Sequence, residues 1–356
     1  MREYRRAYTD LTGSLLIDLY KQKETENIAL SPFSVMVLLG MAAQASAGET
    51  WKQILQTLGM DDPVRAIQGI QEALDKEPGF HSANAVFVQE ALKNAVSEGY
   101  PEALKRDYNG KLFASEDIVS DINKWTKKQT RGIITDIAGE SMKHAVMGIL
   151  SASVFQRSWT QHYSYDDIEP MEFRNADGTV KETDTIWTLE DMFIADTLVT
   201  GFVKQYRRSG CSFMALLPRL EGEEALLQVL ENLDLSTVFE ERINVETAVY
   251  LPEFAFQQTF DIREYCRAQG ITELFTEHAD FSPLSEIPVH LDTLIHKAAI
   301  DVSRKGTKAA AVSMGIIDIT GAFFPEMEVK LNRPFIWAVM HNKTALPVFA
   351  GVVNRL

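Results

Sequence analysis

Apolar residues recur at helical spacing at Tyr8, Leu11, Leu15 and Leu19, which predicts an amphipathic helix near the start of the chain. Ser31 is placed to cap a second helix with Pro32 as its first residue, and the uniformly apolar run over residues 35–43 predicts that this helix is buried on all sides. Further along, the period changes. Ile243, Val245, Thr247, Val249 and Leu251 alternate with Asn244, Glu246, Ala248 and Tyr250 and stop at Pro252, the pattern of a strand with one face inward. Residues 211–217, ended by Pro218, and residues 335–340 and 348–353 are short apolar runs of the kind found in buried strands. A mostly helical N-terminal half followed by strands predicts a mixed α+β fold. No repeat, low-complexity tract or linker interrupts the pattern, so one continuous domain over residues 1–356 is expected.

One segment does not fit an ordinary strand. From Arg304 to Pro325 the chain reads RKGTKAAAVSMGIIDITGAFFP. Taken as extended, one face carries Thr307, Ala309, Ala311, Ser313, Gly315, Ile317 and Ile319, all uncharged and mostly small. The other face carries Lys308, Ala310, Val312, Met314, Ile316 and Asp318, so both charges fall on the same side. Such a strand is able to enter the middle of a sheet with its small face against a packed core. A permanent core strand would share the pattern, but Thr307 to Thr320 would span roughly 45 Å, far beyond the usual strand of about 5–6 residues.

Composition narrows the function. A net charge of -15 and the lack of a basic, aromatic-interleaved stripe disfavour nucleic acid, and no apolar run is long enough to span a bilayer. Cys211 and Cys266 stand alone, without CxxC or histidine partners at ligand spacing, and are expected as buried free thiols rather than as a metal site or disulfide framework. The seven histidines (His81, His144, His162, His278, His290, His296 and His341) are scattered. There is no GxSxG elbow, phosphate loop, HExxH or EF-hand loop, so no catalytic site is read and no cofactor or metal is expected.

Several short motifs then fall in a recognisable order. Asn27-Ile28-Ala29-Leu30-Ser31-Pro32-Phe33-Ser34 is followed by Asn84-Ala85-Val86-Phe87-Val88, Ile122-Asn123-Lys124-Trp125 and Thr130-Arg131-Gly132-Ile133-Ile134. His296-Lys297-Ala298 precedes Gly306-Thr307-Lys308-Ala309-Ala310-Ala311 by ten residues, and Asn332-Arg333-Pro334-Phe335 and Pro347-Val348-Phe349-Ala350-Gly351 close the series. Together they resemble the serpin family over nearly the whole chain. The resemblance implies an α+β fold of three β-sheets and about nine helices, held in a metastable state, with residues 304–328 as an exposed reactive-centre loop. It implies a suicide inhibitor, not an enzyme: a serine protease attacks the loop, forms an acyl-enzyme, and is trapped when the cut loop inserts into the main sheet. The implied partner is that protease in a covalent complex, the active state a monomer able to form loop-sheet polymers. Action outside the cell is expected, with a signal segment removed or absent, and a cytoplasmic role is the alternative. A non-inhibitory carrier or chaperone is the other functional reading.

The resemblance also assigns residues. Gly306, Thr307, Lys308, Ala309, Ala310 and Ala311 match the hinge. Ser31, Ser34 and His296 match a buried polar cluster under the sheet, in which the family's asparagine is replaced by Ser151, and Trp159 matches the tryptophan at the mouth of the insertion site. Arg304 and Glu253 stand where the family has an acidic and a basic residue, so the bridge at that end of the sheet is expected with its charges exchanged. Counting forward from Gly306 places the cleaved bond at Thr320–Gly321, with Ile319 before it, suited to an elastase-like or subtilisin-like pocket. Counting back from Pro334 places it at Phe323–Phe324, suited to a chymotrypsin-like one. No Arg or Lys lies between Lys308 and Lys330, which disfavours a trypsin-like target.

Overall fold

A computed structural model describes residues 2–161, 163–222, 224–307 and 325–356. Lys308, Ala309, Ala310, Ala311, Ile319, Thr320, Gly321, Phe323 and Phe324 lie outside the described residues. The first part of the chain runs α1 (Arg2–Gln22), β1 (Ile28–Leu30), α2 (Pro32–Ala45), α3 (Gly48–Leu58), α4 (Pro63–Leu74), β2 (Phe80–Gln89), α5 (Gly99–Tyr108), β3 (Gly110–Ser115), α6 (Ile118–Gln129) and β4 (Met147–Phe155). Then come β5 (Ile168–Arg174), β6 (Val180–Ala195), β7 (Val199–Gln205), β8 (Cys211–Pro218), α7 (Ala225–Asn232), α8 (Leu235–Glu240), β9 (Ile243–Pro252), β10 (Phe254–Asp261) and α9 (Arg263–Ala268). The series ends with β11 (Thr293–Ser303), β12 (Gly306–Thr307), β13 (Met327–Lys330), β14 (Phe335–His341) and β15 (Leu346–Val353).

The local chemistry behaves as the pattern requires. The Ser31 side chain caps α2 by accepting from the Ser34 N–H at 3.3 Å, with Pro32 at the first position, and nearly every residue of that helix is buried. Tyr8, Leu11, Leu15 and Leu19 turn inward from α1, and the Tyr8 hydroxyl donates to Pro347 O at 2.7 Å, tying the helix to β15. In β9 the expected inward face is buried only from Thr247 onward, since Ile243 is exposed and Val245 half-buried, and the expected outward face does not stay out, since Ala248 is buried too. The first part of that strand lies at the margin of the core, where Val245 packs against it only in part and Ile243 stays in solvent.

Two hydrogen-bonded sheets contain these strands among the described residues. The larger has nine, in the order β1-β15-β14-β8-β7-β6-β9-β13 with β5 also on β6, because the long β6 joins what the family resemblance counts as two sheets into one ladder. The other has six, in the order β10-β11-β4-β2-β3 with β12 on β11. Its central pair, β4 and β11, runs parallel from Gly148↔Thr293 to Val154↔Ala299. Both faces of β4 are covered. Met147, Ile149 and Phe155 join the main core with α2, whereas Leu150, Ala152 and Val154 meet Ile122, Ile133 and Ile137 from α6 and the segment after it. Cys211 and Cys266 are buried and free, and burial pushes both thiols well above their ordinary range.

Candidate functional site

Above the Val154↔Ala299 rung, β4 and β11 no longer pair, and β11 continues to Val302 against β10. A cleft of about 170 Å³ opens there, lined by Val154, Phe155, Phe256, Ala299 and Ile300 among others. Its upper end is closed by a single rung: Thr307 pairs with Val302 of β11 on one side and with Arg157 on the other. The Thr307 N–H donates to Arg157 O at 2.8 Å, and Thr307 O accepts from the Arg157 N–H at 2.8 Å. Gly306 makes this seat possible. Its φ is +122°, and a Cβ there would lie 2.2 Å from Arg157 O, so only glycine fits.

The Thr307 side chain is fully buried on the core side of the sheet, where its Oγ1 meets the Tyr206 hydroxyl at 2.7 Å. Burial pushes the Tyr206 phenol far up, which keeps that hydroxyl protonated and able to donate. Tyr206 stacks on Trp159 with ring centroids 4.7 Å apart, and Trp159 Nε1 donates to Ser303 O at 2.8 Å, one turn of chain before the hinge. The Lys204 ammonium lies 5.3 Å from the Trp159 ring centroid and bonds the Tyr163 hydroxyl and the Glu190 carboxylate. Burial alone would lower the Lys204 pKa, but Glu190 and Tyr163 outweigh it, so the amine stays charged. Glu190 sits where the β6–β9 register shifts.

Beside the hinge, Arg304 and Glu253 do meet. The Arg304 N–H donates to Glu253 Oε1 at 2.5 Å, Nη1 lies 3.8 Å from Oε2, and the guanidinium carbon lies 4.0 Å from the Tyr165 ring centroid. The exchanged charges therefore still bridge the end of β9 to the end of β11.

Under the sheet, His296 Nε2 accepts from the Ser31 N–H at 2.9 Å, which leaves Nδ1 to donate to Ser151 O at 3.3 Å. This neutral form is favoured because burial lowers the His296 pKa to about 4. The Ser151 side chain does not join Ser34 or His296 as expected; it donates to Asn84 Oδ1 at 2.7 Å, and Asn84 Nδ2 donates to Tyr108 O at 2.8 Å. Ser34 instead shares a hydrogen bond with Ser153. A serine side chain is too short to cross to α2 from position 151, and Ser153, two residues on, faces the same way closer to the helix. Strand period 2 points to Ser153, and Asn84 opens the Asn84–Val88 motif, but nothing in the sequence singles out Tyr206, Lys204 or Glu190. Among the described residues no cluster of metal-ligating side chains occurs, and no helix is long and apolar enough to cross a membrane.

Comparison with known proteins agrees with this geometry. The chain is 26% identical to alpha-1-antiproteinase of Rattus norvegicus, over 97% of this chain and 87% of that protein, and 25% identical to neuroserpin of Homo sapiens, over 98% and 90%. Among solved structures, the thermophilic serpin tengpin in its native state superposes with a TM-score of 0.85 at 28% identity, covering 98% of this chain and 94% of that one. Thyroxine-binding globulin in complex with thyroxine superposes with a TM-score of 0.86 at 21% identity, covering 98% of each chain, a likeness of fold alone. The family model described as Serpin (serine protease inhibitor) matches residues 6–356, and with it the chain is placed: it belongs to the serpin family.

Proposed function

We propose that the chain is a suicide-substrate inhibitor of serine proteases that traps the acyl-enzyme by inserting its cut loop between β4 and β11. Serpins as a family are protease inhibitors; the trapping step, the target class and the reactive bond are what the proposal adds. The observation that carries it is the seat of Thr307, already a rung of the six-stranded sheet with its side chain inward above an open cleft. Extending that rung downward asks only for further small, uncharged inward residues, and the sequence supplies them at alternate positions after Thr307. The reactive bond is proposed at Thr320–Gly321, for an elastase-like or subtilisin-like protease, with Phe323–Phe324 and a chymotrypsin-like protease as the alternate. The reactive-centre loop is proposed over residues 304–328, anchored at its ends by Gly306–Thr307 in β12 and Met327–Glu328 in β13, within a domain spanning residues 1–356 that acts as a monomer outside the cell.

Mixing the protein with each protease class and resolving the products by SDS electrophoresis tests this. An SDS-stable complex is expected with an elastase-like or subtilisin-like enzyme, and mass spectrometry of the released C-terminal fragment reads the cleaved bond. Thr307→Arg should be cleaved without forming the complex, because it places an unpaired charge on the inward face, a cost of several kcal/mol. Cleavage of the natural protein with no complex would overturn the inhibitor reading in favour of a carrier or chaperone.

A further inference from the structure

At the end of the β4–β11 pair remote from the hinge, one residue staples the two strands together. Asp292 Oδ2 accepts from the backbone N–H of Val146 at 2.6 Å and of Met147 at 3.1 Å, and the Asp292 N–H donates to Met147 O at 3.0 Å. Its other carboxylate oxygen lies 3.2 Å from Nε2 of His290. The position of the staple follows from the hinge. Thr307 pairs with Val302 and with Arg157, and ten residues below these on their own strands stand Asp292 and Met147. The staple therefore closes the same rung from both sides, at the foot of the track whose first rung Thr307 occupies.

We propose that Asp292 is a positioning residue that holds the lower end of the sheet shut and sets the rate at which an entering strand completes its passage. The proposal rests on the reading that a strand enters between β4 and β11. A strand running that far must take the N–H of Met147 from a carboxylate and offer it a neutral carbonyl, and in displacing Asp292 it also breaks the carboxylate's bond to the Val146 N–H; hydrogen bonds to a charged acceptor are the stronger kind. Release leaves no buried charge behind. The Asp292 side chain is 29% exposed, so water and His290 receive the freed carboxylate. The bond is thus strong enough to delay the last rungs and still able to open, whereas a staple in the dry middle of the sheet would strand its charge.

The test uses the intact protein and an N-acetylated synthetic peptide with the sequence of residues 307–317, whose uptake is followed on native gels and by mass. Asp292→Ala should take up the peptide about tenfold faster than the natural protein, the ratio that corresponds to losing one or two charge-assisted hydrogen bonds. Asp292→Asn, which keeps an acceptor oxygen without the charge, should fall between them and guards against a misfolded alanine variant. Asp62→Ala removes a comparable bond, from the Arg65 N–H to Asp62 Oδ1 at 2.9 Å at the start of α4, and should leave uptake unchanged whatever it costs in stability. Equal uptake by the natural protein and Asp292→Ala overturns the latch and leaves strand entry standing. Acceleration by Asp62→Ala to the same degree reduces Asp292 to general stability and overturns the latch as well. Uptake by none of the proteins overturns strand entry and the latch together.

Discussion

His296 shows how a single buried side chain makes the fold sensitive to pH. It is neutral because burial holds its pKa at about 4, below the ordinary 6.5 that it regains when unfolded. Between those values the unfolded chain binds the proton and the folded one does not, so stability is full above pH 6.5 and is lost as pH falls toward 4, by roughly 3 kcal/mol. His296→Gln keeps an acceptor for the Ser31 N–H and does not titrate, so denaturation midpoints measured from pH 7 to 4 should fall less steeply for the variant. His81 and His341, also held below their ordinary value by burial, keep part of the slope. A variant with the slope of the natural protein would show that His296 is not neutral in the fold. The same residue illustrates what was legible from sequence. His296, Ser31 and Ser34 were found through their motifs, but the hydrogen bonds that satisfy them depend on which serine of β4 lies nearer α2, a matter of ångströms that residue types do not encode.

Strands and their junctions carry the next scale. β8, β14 and β15 were legible because each is an almost unbroken apolar run buried along its whole length, whereas the alternation in the first half of β9 lies at the margin of the core, where it is buried only in part. The hinge was legible as a small-residue run, yet its seat was not, since Tyr206 and Lys204 reach it from β7 and the turn after it, a hundred residues earlier in the chain. The Arg304–Glu253 bridge joins the end of β11 to the β9–β10 corner, and both side chains are mostly covered. Arg304→Glu sets two carboxylates together, a repulsion of about 1 kcal/mol that should loosen this corner and speed polymerisation on mild heating several-fold. Exchanging both charges, with Glu253→Lys added, should return the rate to that of the natural protein, and native gels of all four proteins complete the cycle. A double variant that polymerises as fast as Arg304→Glu alone would mean that the contact does not govern opening.

For the whole molecule, the proposed insertion implies that the intact protein is not in its most stable state. Completing the β4–β11 gap would add a ladder of hydrogen bonds on both sides and bury Ile317 and Ile319, gains that should raise the thermal midpoint by about 10 °C or more after limited proteolysis in the loop. Calorimetry of intact and nicked protein reads this directly, and an unchanged midpoint would exclude insertion. The nine-stranded sheet has a consequence of another kind, in the timing of synthesis. β1, at residues 28–30, pairs with β15, more than three hundred residues later, and β14 and β15 stand between β1 and β8 in the sheet. A growing chain on the ribosome therefore cannot close this sheet until residues 335–353 have emerged, and throughout translation the apolar surface of α2 lacks part of its cover. The sheet must wait open, with its partners apart in sequence, until β14 and β15 are available to fill it.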